Sequence, residues 1–429
     1  MMASRLVRLM LALVVSASVW FYVDYIFVPS QVVDQAKEQT PRGNLSDLYP
    51  RWLGARELLL HGRNPYGDDI ARESQIGYYG RALDHSRSTD PEDREAFAYP
   101  VYVVFLLAPF VHLSFHNVQW TFHWILLALT AFSAVLWLRA LRWRLSGLES
   151  LACAALLISS VPGLQAIKLQ QLTLLVAALL AAAAAAVVGR QLVLAGVLLA
   201  VSTIKPQLAW PLVLWLLVWT LSDWRRRRNL AISFGSTMFV LLVGAEWILP
   251  GWLRMFVEAI RQYHQYTHNL SVLDADFGMI VGPVVAAAAL LASAWQLWKL
   301  RKADADHLTF AYALALVMAL TVLIVPMIAP YNQVLLFPTV LYLLRRGCPS
   351  RPRALRFAYA AWALVLAMPW VASVLLTAVY FVVSPAAAMS ARKLPFLTTL
   401  SFPLLIFALI FAFSIVEPPP RLAEPGSAL

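Results

Sequence analysis

Apolar runs long enough to cross a lipid bilayer recur along nearly the whole chain, and only one long segment, residues 29–98, interrupts them. A spanning helix needs about 20 apolar residues, because each adds ~1.5 Å across ~30 Å of hydrocarbon. With 61% hydrophobic and 13% charged residues in 429 positions, the apolar sequence exceeds what a globular core could cover. The fold class is all-α polytopic membrane protein. A formal charge of +11 would suggest nucleic acid in a soluble chain. Here the basic residues fall in short clusters between apolar runs, where they set orientation against membrane lipids, so no nucleic-acid partner is expected. Cys153 in an apolar run and Cys348 in a basic loop are too differently placed to pair or to share a metal.

The first apolar run, residues 6–28, follows Arg5 and Arg8 and reads as a first transmembrane helix ending a segment 1–28. A signal peptide cleaved near Val15-Ser16-Ala17 is the competing reading, but the run continues well past that point. An outer loop, 29–116, comes next. Within it Leu48, Trp52, Ala55, Leu58 and Leu59 recur at helical spacing and predict an amphipathic helix lying on the membrane surface.

Residues 99–115 are apolar but short and broken by Pro100 and Pro109, and they decide the topology. If they span, Arg142, Arg144, Arg225–Arg228 and the basic cluster at 345–356 face outward with the polar loop, against the positive-inside rule. If they are re-entrant, these clusters join Arg5 and Arg8 in the cytoplasm. The second arrangement is expected. It gives about twelve crossings: 6–28, a bundle over 117–416 beginning at 117–140, then 151–167, 171–188, 191–205, 207–222, 230–249, 279–298, 308–328, 331–344, 356–383 and 396–416. Short spans in this set are tolerated where protein shields them or where they line a wet cavity, which should open outward. Small residues at 181–186 permit close helix approach. Residues 417–429 read as a disordered cytoplasmic tail.

On this topology Asp47, Arg51, Arg56, Lys168, Gln171, Lys205, His264, His268, Asp274, Asp276, Tyr331 and Asn332 gather at the outer helix mouths. Lys205 is the sharpest of them. It ends a short apolar run before the helix-breaking Pro206, which holds a cation near hydrocarbon depth where ionisable groups are costly and functional. The plainer alternative is a lysine snorkelling to the headgroups, which suits Lys168 better. His264 and His268 share a helix face, but no Glu beside them completes a metalloprotease pattern. Asp68-Asp69 after Asn-Pro-Tyr-Gly reads as an exposed turn before it reads as a divalent-metal site. Sequons begin at Asn44 and Asn269.

In order, Asp47-Leu48-Tyr49, Gly62-Arg63-Asn64-Pro65-Tyr66, Tyr99-Pro100, Gln171-Leu172-Thr173-Leu174-Leu175 and Ala195-Gly196-Val197 through Ile204-Lys205-Pro206 resemble the landmarks of glycosyltransferase family 87, of the GT-C superfamily. That family includes polyprenol-phosphate-mannose-dependent α-mannosyltransferases. The resemblance covers most of residues 40–345. It departs at Gln170, where relatives often carry Gly, at Thr173 for Asn, at Val101 for Pro, and at 329–332, where relatives are more acidic or carry His.

The resemblance implies a GT-C fold and a hexosyl transfer, mannosyl in the family's pattern, from a polyprenyl-phosphate donor to a glycolipid or glycan acceptor. The reaction inverts, on the outer face of a bacterial plasma membrane. It implies Asp47 as general base, Lys205, Lys168 and Arg51 at the donor phosphate, and Tyr49, Asn64, Tyr66, Gln171, Tyr331 and Asn332 around the substrates. One carboxylate and one or two cations suffice for that chemistry, so no cofactor and no metal are expected. A secondary transporter or lipid-linked-sugar flippase is the alternative; the long first outer loop and the lack of similarity between the chain's halves speak against the transporter, and a flippase would leave Asp47 and Lys205 unexplained.

Overall fold

A computed structural model describes residues 2–41, 43, 46–84, 86–267, 270–326, 328–348 and 352–416. The calls on Asn44, His268, Asn269 and residues 417–429 lie outside the described residues. Among the described residues every regular element is helical.

Among the described residues, five helices have the length and apolarity to cross a bilayer: Met2–Glu38, Phe115–Ala140, Trp224–Ile248, Val272–Leu300 and Arg353–Val382. Gly147–Ser159 and Val161–Lys168, bent by 64° at Ser160, together have the same length and apolarity, as a broken span or a re-entrant loop has. The remaining apolar runs fold as shorter helices: Thr173–Val188, Leu192–Ser202, Pro206–Leu221, Leu308–Ile324 and Phe402–Val416. Leu308–Ile324 shows why a short helix can survive here. Its residues from Thr309 to Leu323 are all buried, so its backbone ends meet protein and not hydrocarbon. The short run expected at 331–344 splits into a 3-10 turn, Pro330–Leu336, and a helix, Phe337–Arg346.

The first helix does not stop at Val28. It runs on to Glu38 through a π-helical turn, Tyr22–Phe27, placed just before Pro29. The shifted hydrogen-bond ladder of such a turn accommodates a residue that has no N–H to give.

Residues 99–115 hold no helix long enough to cross a bilayer. They form the helix Val103–Leu107 and a 3-10 turn, Ala108–Phe110, tucked under the outer loop. This short piece changes the setting of helix Tyr49–His61, which was expected to lie on the membrane with one apolar stripe. Instead the helix is wedged into protein: Trp52, Leu53, Gly54, Ala55, Glu57 and Leu58 are buried, and the Trp52 indole donates to the Phe110 carbonyl at 3.0 Å. A Cβ on Gly54 would come within 2.5 Å of the Phe97 ring, so only glycine lets the two segments approach this closely.

Helix Phe115–Ala140 orients the bundle. At its start Phe115 meets the Tyr49 ring edge-on at 4.8 Å, and just beyond its end Arg142 pairs with Asp306 at 2.9 Å. The same far end collects Arg8 on Glu149 at 3.0 Å, Arg190 on Asp306 at 3.2 Å and Arg345 on the Leu141 carbonyl. The basic clusters thus gather at the end opposite the polar loop.

Candidate active site

Asp47 is fixed by backbone before its side chain does anything. Its N–H donates to the Leu169 carbonyl at 3.1 Å, while Ser46 donates to Gln170 and Gln170 in turn donates to the Gln119 carbonyl. The loop is thereby tied to the turn between helices Val161–Lys168 and Thr173–Val188. Gln170 holds this turn in a left-handed conformation, φ 51°, which non-glycine residues adopt only at a cost of about 1 kcal/mol. The strain delivers the next side chain, Gln171, to the carboxylate.

Gln171 donates its amide to Asp47 and accepts from the Lys205 ammonium at 3.2 Å. Lys205 is only 4% exposed. It also donates to the Thr173 hydroxyl at 2.6 Å, and Thr173 donates to the Asn332 side-chain oxygen at 3.3 Å. The ammonium sits 5.1 Å from the centre of the Tyr331 ring, an electrostatic contact that offsets part of its lost hydration. Arg51, one turn beyond Asp47, donates to the Asp47 carbonyl at 2.9 Å and lies 5.1 Å from the Tyr99 ring. The Arg51 Nε is buried with no hydrogen-bond partner. A buried cation with an unused donor is set up to receive an anion.

Asp47, Arg51, Tyr99, Gln171, Lys205, Tyr331 and Asn332 line one cavity of about 350 Å³, with Asp93, Glu95, Tyr263 and His264 on its other wall. Arg94 braces that wall, donating to Asp68 at 2.5 Å and to Gln262 of helix Trp252–Thr267 at 3.2 Å. Glu95 is buried, holds a left-handed φ of 50° and accepts from the Tyr79 hydroxyl at 3.2 Å. Burial raises the Asp47 carboxyl above the ordinary aspartate range, against the opposing pull of Arg51, Lys205 and the Gln171 hydrogen bond.

Of the ten site residues drawn from the sequence, Asp47, Arg51, Gln171, Lys205, Tyr331 and Asn332 meet at this cavity. Lys168 does not. It turns to the first helix, where it pairs with Asp24 at 2.6 Å over the Trp20 ring. Tyr49 packs on Phe115 and Trp52. Asn64 accepts from the Tyr66 N–H in a tight turn, and the Tyr66 hydroxyl donates to the Tyr99 carbonyl at 2.7 Å, so both shape the loop beneath the site. Three other aspartates from the same stretch of chain are engaged away from the cavity: Asp34 with Arg392, Asp68 with Arg94 and Asp69 with Arg63. Asp93, Glu95 and Tyr263 escaped sequence reasoning. The only signal for the first two was a pair of acids shortly before Tyr99-Pro100.

The sequence model of glycosyltransferase family 87 matches residues 97–326, more than half of the chain. The chain belongs to glycosyltransferase family 87. The matched segment carries Tyr99, Gln171, Thr173, Lys205, Tyr263 and His264, and the loop with Asp47 and Arg51 precedes it. No curated protein and no solved structure matches the chain. As a family 87 member with this many apolar helices, the protein is a multi-pass membrane glycosyltransferase using a sugar donor and an acceptor. Membership takes the place of the transporter reading.

Proposed function

We propose that this glycosyltransferase moves a hexosyl residue, mannosyl by the family's pattern, from a polyprenyl-phosphate donor to an acceptor hydroxyl at the outer face of a bacterial plasma membrane, with inversion. The observation that supports it most is the Asp47–Gln171–Lys205 chain in one cavity, with Arg51 beside it. Such a cavity holds a base for the acceptor and cations for a leaving phosphate side by side.

In this reading the Asp47 carboxylate takes the acceptor proton as the hydroxyl oxygen attacks the sugar's anomeric carbon. The bond from that carbon to the phosphate oxygen breaks, and its electron pair stays on the phosphate. Lys205 and the unused Nε of Arg51 receive the charge that develops there. Gln171 holds base and cation in register, and Tyr331 and Asn332 shape the sugar's side of the cavity.

The test is an assay of purified protein with polyprenyl-phosphate mannose, polyprenyl-phosphate glucose and the corresponding nucleotide sugars, with the product anomer read by NMR. Transfer from a polyprenyl-phosphate sugar with inverted configuration is expected. Turnover with nucleotide sugars alone would overturn the donor assignment.

A further inference from the structure

At the end of the bundle opposite the active site two grooves lie side by side, and their charges differ. One is lined by Arg190, Arg226 and Arg227 against Asp223, Asp304 and Asp306. Its charges are matched in pairs: Arg190 to Asp306 at 3.2 Å, Arg227 to Asp304 at 3.9 Å and Arg226 to Asp223 at 4.0 Å. The second groove, about 1290 Å³, carries Arg139, Arg142, Arg144 and Arg345 against the single carboxylate of Asp306. Arg142 is held by Asp306 and Arg345 by the Leu141 carbonyl. Arg139 and Arg144 are exposed and make no ion pair among the described residues.

Below these arginines the groove walls are apolar: Phe132 and Val135 on helix Phe115–Ala140, Ala182 and Ala185 on helix Thr173–Val188, and Leu194 and Leu198 on helix Leu192–Ser202. Phe132 is 54% and Leu194 47% exposed, so in a membrane protein this groove opens sideways into lipid. Its volume exceeds the ~300–1,000 Å³ usual for a soluble small ligand. Alanines at 182 and 185 leave a trough where larger side chains would have closed the helix pair. An anion is called for at the top and hydrocarbon along the walls.

We infer that this groove binds an anionic phospholipid, its headgroup phosphate on Arg139 and Arg144 and its acyl chains along the trough between helices Phe115–Ala140 and Leu192–Ser202. Basic residues at a membrane surface favour anionic lipid by about fivefold each, and so by about 25-fold for the pair. The site stands apart from the transfer reaction, and neither arginine belongs to the active-site cavity.

The test reconstitutes the full chain into nanodiscs of equimolar phosphatidylcholine and phosphatidylglycerol and counts retained lipids by native mass spectrometry. Wild-type protein should retain phosphatidylglycerol in strong preference, and Arg139→Gln with Arg144→Gln should lose most of that preference. Equal retention of the two lipids by wild type, or unchanged preference in the double variant, would overturn the site. Arg225→Gln with Arg228→Gln removes the same charge from the same end and should keep the preference; an equal loss there would assign the effect to bulk charge and overturn the groove. Displacement of phosphatidylglycerol by added inorganic phosphate would overturn the lipid in favour of a soluble anion.

Discussion

Asp47 and Lys205 are joined through one side chain: the Gln171 amide donates to the carboxylate and its oxygen accepts from the ammonium at 3.2 Å. A carboxylate and an ammonium left in direct contact would neutralise one another. The intervening amide keeps the carboxylate free to take a proton and the ammonium free to meet a phosphate.

Asp47→Asn keeps size and hydrogen bonding but cannot accept the acceptor's proton. It should lower turnover by about 10²- to 10⁴-fold, the usual worth of general-base assistance, while donor binding persists. Single-turnover kinetics with titrated donor separate the two. Normal turnover in this variant would remove Asp47 from the base role.

Lys205→Ala should weaken donor use, whereas Lys205→Arg should recover part of it, because the charge returns without the compact ammonium geometry. The dependence of rate on donor concentration reports this. An unchanged dependence in the alanine variant would reduce Lys205 to a packed structural lysine.

Lys168→Ala should leave donor dependence within about twofold and cost at most ~1 kcal/mol of stability. Its pair with Asp24 is 35% and 40% exposed, and such ion pairs contribute little. A large rise in donor KM would return Lys168 to the donor site.

Burial, and next the negative charge of Asp93, push the Glu95 carboxyl up to about 8. The folded protein therefore keeps a proton that the unfolded chain releases near the ordinary carboxylate range. Stability from this group is full below that range and is lost as pH rises toward about 8. Glu95→Gln cannot ionise, so the fall of Tm with pH across that window should be shallower in the variant. Parallel Tm–pH curves for the two proteins would contradict a protonated Glu95.

A cysteine at position 226 should react with a membrane-impermeant thiol reagent only after the membrane is opened, because its basic neighbours lie at the end opposite Asp47. Labelling in intact cells would reverse the orientation and put the cavity on the cytoplasmic side.

The chain's own residues determined the membrane class, because apolar runs leave no soluble alternative. They also marked Lys205, a cation closing an apolar run before the helix-breaking Pro206, while Asp47 and Gln171 were picked out by the family resemblance. Helix Tyr49–His61 could not be placed this way. Its apolar spacing fits a membrane surface as well as a protein wedge, and the choice rests on residues 99–115 packing against it. Lys168 and Lys205 each close an apolar run, and sequence separates them only by their expected depth. Only the packing decides that one meets Asp24 on the first helix and the other Gln171 and Thr173 in the cavity. Glu95 shows the same limit. Its role depends on a left-handed backbone and on a wall supplied by helix Trp252–Thr267, far along the chain, and contacts of that range leave no periodicity to read.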